Sequence, residues 1–83
     1  MYFAYIIQSE KTLRYYTGST KELENRLMRH NNGDTPSTRR EVPWKLVHFE
    51  EFQSRSEAVK KEMGIKSRGA ARYLEDVETK TST

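Results

Sequence analysis

The chain contains no cysteine. A disulfide framework and a thiolate zinc site are thereby excluded, so its 83 residues must fold on packing alone, and nothing points to an oxidising compartment. Long apolar runs are missing as well. The longest, Phe3 to Ile7, falls far short of the roughly 20 residues that cross a bilayer, and the N-terminus lacks the basic region and apolar stretch of a secretory signal. A soluble, cytoplasmic protein away from membranes is the expectation. Aliphatic residues are few: Leu, Ile, Val and Phe number fifteen, which in a more highly charged chain would mean disorder. The net charge is only +3, however, and five tyrosines and one tryptophan add burial area, which together describe a small globular domain with a single core.

What is present is unevenly distributed. Ser54 to Arg72 carries six Lys or Arg against two Glu, whereas Met1 to Gln53 carries eight against seven. The basic excess of the C-terminal third suits either a phosphate-facing surface or a solvated helix face.

Residues 1–8, MYFAYIIQ, are aromatic and β-branched and read as a strand. The polar EKTLR follows as a turn, and YYTGS resumes the strand character, which makes a β-hairpin. Thr20 is a candidate N-cap for the amphipathic segment KELENRLMRHNN, in which Leu23 and Leu27 are four apart and Asn32-Gly33 stops the helix. Residues 33–43 show no period and form a long loop carrying Arg39 and Arg40. WKLVHFEEF has apolar residues at both parities and reads as a third strand, half-buried on each face, with His48 taken as packing. Ser54 and Glu57 form a capping box, S-x-x-E, before a helix in which Val59 and Met63 are four apart and Glu62 borders the apolar stripe. Gly64 and Gly69 predict a bend or break before a last helical stretch, AARYLED, and residues 77–83 are expected to be a frayed tail.

Arg26 and His30 lie one helical turn apart and rise from one face. In order along the chain, FAYII, YTG, LENRLMRH and SEAVKKEMGIK resemble the motifs of the GIY-YIG nuclease family, closest to its small single-domain branch, and RREVPWKLVHFEEF fits the strand before the last of them. The likeness covers residues 2–76. It implies an α+β fold, a three-stranded antiparallel sheet packed with helices, in one domain of residues 1–76, and metal-dependent phosphodiester hydrolysis. Carried over position by position, it makes Tyr5 and Tyr16 the active-site tyrosines, Arg26 and His30 the helix pair, and Glu62 the ligand of one Mg2+ or Mn2+ ion. Ser19 follows Gly18, where some branches place a lysine, and no asparagine stands after Glu62 where several family nucleases have one.

Those residue types suit the chemistry. Hydrolysis needs a proton acceptor, cations against the phosphoryl oxygens and help for the leaving oxygen. A phenol of ordinary pKa about 10 serves as a base only beside a cation; Arg26 offers a charged fork, His30 a donor or relay, and a single Glu suffices for an ion that keeps several waters. Which tyrosine is the base stays open at this point. So does the role of Glu62, which could instead pair with Lys66 four residues on. Arg39, Arg40, Lys60, Lys61 and Lys66 are candidates for nucleic-acid backbone contacts, DNA before RNA, with specificity supplied by a protein partner. The rival readings are a nucleic-acid-binding module on the same fold with weak or no turnover, and a protein-interaction domain.

Overall fold

The computed structural model describes residues 1–81. Three strands, β1 (Tyr2–Ser9), β2 (Tyr15–Thr20) and β3 (Trp44–Phe52), form one antiparallel sheet in the order β2-β1-β3. Three helices accompany it, α1 (Leu23–Asn31), α2 (Arg55–Arg68) and α3 (Ala70–Thr81), and a short 3-10 turn spans Arg39–Glu41. The fold is α+β, as expected. The consecutive apolar residues Ala4, Tyr5, Ile6 and Ile7 are all buried because β1 is the central strand and both its faces are covered.

Register decides which residues share a face, since partners across an antiparallel pair point the same way. Tyr5 pairs with Gly18 and Phe49, and Ile7 with Tyr16 and Leu46. This face, with Trp44, receives Leu23 and Leu27 of α1. Ala4 pairs with Ser19 and Glu50, and Ile6 with Thr17 and His48. That opposite face lies under α2 and α3, whose residues Lys61 and Tyr73 reach Glu50. A register shift between Ile6 and Ile7 leaves Val47 as the extra residue of a bulge in β3, which explains why apolar residues occur there at both parities.

Local signals account for several boundaries. Ser54 caps α2 by accepting from the Glu57 backbone N–H at 3.2 Å, and its hydroxyl donates to Glu57 Oε1 at 3.0 Å. α2 runs straight through Gly64 and ends at Gly69, whose φ of 95° needs a residue without a Cβ. Thr20 departs from its expected role. It is the last residue of β2, its hydroxyl accepts from the Glu22 N–H at 3.1 Å, and α1 begins only at Leu23 with no side-chain cap. His48 is more than packing: its Nε2 meets Glu50 Oε2 at 2.8 Å, and the Tyr73 hydroxyl donates to the same oxygen. Burial opposes ionisation of Glu50, but bonds from His48 and Tyr73 and the charge of Lys61 outweigh it and lower its pKa. The segment expected to be a frayed tail is instead part of α3 as far as Thr81; Ser82 and Thr83, the rest of it, lie outside the described residues.

Candidate active site

The long loop between α1 and β3 is pinned rather than loose. Asn31, at the end of α1, brackets the Trp44 backbone, accepting from its N–H at 2.6 Å and donating to its carbonyl at 3.0 Å. The Trp44 indole N–H then donates to the Thr38 carbonyl at 2.9 Å, which sets Thr38, 1% exposed, inside the molecule. There the Thr38 hydroxyl stands 2.8 Å from His30 Nδ1. Because that hydroxyl donates onward to the Thr35 carbonyl at 3.4 Å, we assign it as acceptor from Nδ1–H. His30 Nε2 is thereby left with a free lone pair, and the Tyr5 hydroxyl donates to it at 3.0 Å.

His30 is completely buried, and burial first, with the nearby Arg26 charge second, lowers its pKa and keeps the ring neutral. Tyr5, 1% exposed, has its phenol pKa pushed up, chiefly by burial and by the Tyr16 phenol, with Arg26 pulling the other way. Room for that phenol exists only because residue 18 is glycine: a Cβ there would come within 2.6 Å of the Tyr5 hydroxyl oxygen and 2.8 Å of Cζ. The Gly of the Y-T-G triplet is a matter of close approach between neighbouring strands.

Tyr16 is half-buried, its ring 5.0 Å from that of His30 and 6.4 Å from Trp44, both edge-on. It lies on the α1 face of the sheet, and its phenol still acts electrostatically on both Tyr5 and Lys66. Glu62 arrives from α2 on the other face of the sheet. Its Oε1 accepts from Ser19 Oγ at 2.7 Å and its Oε2 from Lys66 Nζ at 2.8 Å, with the carboxylate side chain only 18% exposed. The bond to Glu62 raises the pKa of Lys66. Arg26 opens into a cleft of about 370 Å³ at the edge strand β2, lined also by Ser19, Lys21, Arg55 and Ala58.

Five of the expected site residues, Tyr5, Tyr16, Arg26, His30 and Glu62, are thus brought together by β1, β2, α1 and α2. Of the five expected basic contacts, only Lys66 joins them. Lys60 and Lys61 line a separate cavity of about 590 Å³ with Phe52, Gly64, Ile65 and Tyr73. Arg39 and Arg40 are exposed on the 3-10 turn beside Thr38, and Lys66 is paired with Glu62 inside the site. Thr38 and Arg55 escaped the sequence reading, and Ser19, noted there only as the residue after Gly18, was given no role. Ser19 carried a signal, since it follows the Y-T-G triplet directly; Thr38 and Arg55 carried none, because only the fold brings them near.

Among the described residues, no group of three His, Cys, Asp or Glu side chains is placed to hold a metal ion. Nor, among them, is any helix long and apolar enough to cross a membrane.

With this geometry in view, residues 1–74 match the family model described as the GIY-YIG catalytic domain, and the chain belongs to that family. It is similar to UPF0213 proteins: one from Haloquadratum walsbyi, 43% identical over 80% of this chain and 74% of the relative, and one from Halobacterium salinarum, 43% identical over 80% and 86%. A UPF0213 protein of Clostridium perfringens is 38% identical over 98% of this chain and 87% of its own. No solved structure matches the chain.

Proposed function

We propose that this protein hydrolyses phosphodiester bonds in nucleic acid, DNA before RNA, with the help of one Mg2+ or Mn2+ ion. The observation that carries the reading is the convergence of two phenols, a guanidinium and a carboxylate, from opposite faces of the sheet, at the β2 edge. Arg26 opens into the cleft beside Lys21 and Arg55, and its fork suits two phosphoryl oxygens at once. Of the two phenols, Tyr16 is the one that can meet an attacking water: it is part-exposed, whereas Tyr5 is buried with a raised pKa. Tyr5 and His30 form the wall behind it. Their hydrogen bonds, continued to Thr38, fix the floor against which a phosphate would be oriented.

The donor set fits a hard cation of low demand. Magnesium takes one or two protein carboxylates, keeps several waters and accepts substrate phosphate as a ligand, so Glu62 with the adjacent Ser19 hydroxyl is sufficient. When bound, the ion would neutralise charge on the phosphoryl group and assist departure of the leaving oxygen. The test is cleavage of labelled single- and double-stranded DNA and RNA by purified protein in Mg2+ or Mn2+. Glu62→Gln and Arg26→Ala should each lower the rate by about a hundredfold or more, and cleavage that survives both changes would remove the assignment. A binding module without turnover is the second reading, favoured by the Glu62–Lys66 ion pair; it gives salt-sensitive binding and no cleavage with either metal.

A further inference from the structure

In the free protein both oxygens of Glu62 already have partners, Ser19 Oγ on Oε1 at 2.7 Å and Lys66 Nζ on Oε2 at 2.8 Å. The two members of the ion pair differ in setting: the Lys66 side chain is 56% exposed, the Glu62 side chain 18%. On an open helix face an i, i+4 pair contributes little. Here the acceptor is largely withdrawn from water, so its attraction for a cation is stronger, and so is the repulsion between Lys66 and any second cation brought to the same carboxylate. The lysine itself sits on the solvent side. Its flexible four-carbon stem lets the ammonium move to another anion while α2 stays in place. Arg26, Lys21 and Arg55 outnumber Glu22 in the lining of the neighbouring cleft, which makes it attractive to a polyanion.

We propose that Lys66 is a tethered counter-ion that holds the metal-binding face of Glu62 until a nucleic-acid phosphate draws it away, so that metal loading is coupled to nucleic-acid binding. The proposal rests on Glu62 being the metal ligand, as argued above. Lys66 acts through Glu62 and is a positioning residue. In the free protein the divalent ion competes with a cation already in place. Once the ammonium has moved to a phosphate, the carboxylate is open and its negative charge uncompensated. Metal and polyanion then each strengthen the binding of the other by the same factor, as linkage requires. The arrangement limits metal loading when no substrate is present.

The test is Mn2+ binding to the full chain, followed by paramagnetic broadening of the Glu62 amide in NMR spectra at matched free Mn2+. It is run with and without a short phosphorothioate oligonucleotide that resists cleavage. Lys66 is exposed, so Lys66→Met and Lys66→Arg should keep the wild-type amide spectrum elsewhere. Without oligonucleotide, Lys66→Met is expected to bind Mn2+ about tenfold more tightly than wild type, while Lys66→Arg, which keeps the cation, stays near wild type. The oligonucleotide should tighten wild-type Mn2+ binding by a similar factor and leave Lys66→Met little changed. Equal or weaker Mn2+ binding by Lys66→Met, with binding still lost in Glu62→Gln, overturns the counter-ion role and leaves Glu62 as the ligand. Binding that Glu62→Gln does not alter overturns both.

Discussion

Single residues in this molecule matter through what they leave room for and what they hold. Gly18 illustrates the first. Its absent Cβ is the space taken by the Tyr5 phenol, whose ring is buried and cannot swing aside. Gly18→Ala should therefore cost about 1–3 kcal/mol by urea unfolding, and a change near zero would mean that Tyr5 has another place to go. His30 illustrates the second. Its pKa is held below the ordinary 6.5 by burial, so the unfolded chain takes up a proton before the folded one does. The stability due to a neutral His30 is present above pH 6.5 and is lost as pH falls through that value toward the lower folded pKa. Unfolding free energies measured across about pH 5–7 should show this slope in the wild type and a flatter profile in His30→Gln. The pairing of Arg26 with His30 was legible from their spacing. The partner of His30 was not, because Thr38 reaches it through the Trp44 indole and a loop with no periodicity of its own.

Elements were legible where their ends are set locally. The Ser54 and Glu57 signature is visible four residues at a time, and α2 starts where it indicates. The start of α1 was misjudged because Thr20, a good N-cap by type, is still paired with Phe3 in the sheet. Tertiary pairing took precedence over local preference. The extent of α3 exceeds its apolar pattern for a related reason: Arg68, at the end of α2, makes a two-pronged bond to Asp76 at 2.8 and 3.0 Å, tying the two helices together across Gly69. Gly64 lies inside α2 with nothing within 4 Å of the position a Cβ would take. Gly64→Ala should accordingly raise stability by up to about 1 kcal/mol, while Ser54→Ala should lower it by about 1 kcal/mol. Thermal unfolding of the two variants checks both signs, and a destabilising Gly64→Ala would show that the helix is bent there in solution.

At the scale of the whole molecule, the sheet is the device that assembles the site. It separates Tyr5 and Tyr16, on the face toward α1, from Ser19, on the face toward Glu62, and the edge strand β2 is where the two sides meet. Composition indicated a basic C-terminal third but not its division between two surfaces. Lys66 belongs to the cleft side, whereas Lys60 and Lys61 face the cavity between α2 and α3. The order of motifs carried the fold and pointed to five candidate residues, and the i, i+4 spacing offered the Glu62–Lys66 pair; what it could not carry is the Ser19 hydroxyl on the same carboxylate, which depends on where α2 falls relative to β2. The most direct measurement is an NMR titration of the protein with Mg2+, followed by a short DNA duplex or single strand, reading the amides of Tyr5, Tyr16, Arg26, His30 and Glu62. Shifts that converge on those five residues are the expected result. Shifts confined to the Lys60 to Arg72 surface, with Glu62 unmoved by metal, would contradict the account and leave a binding module on a nuclease fold.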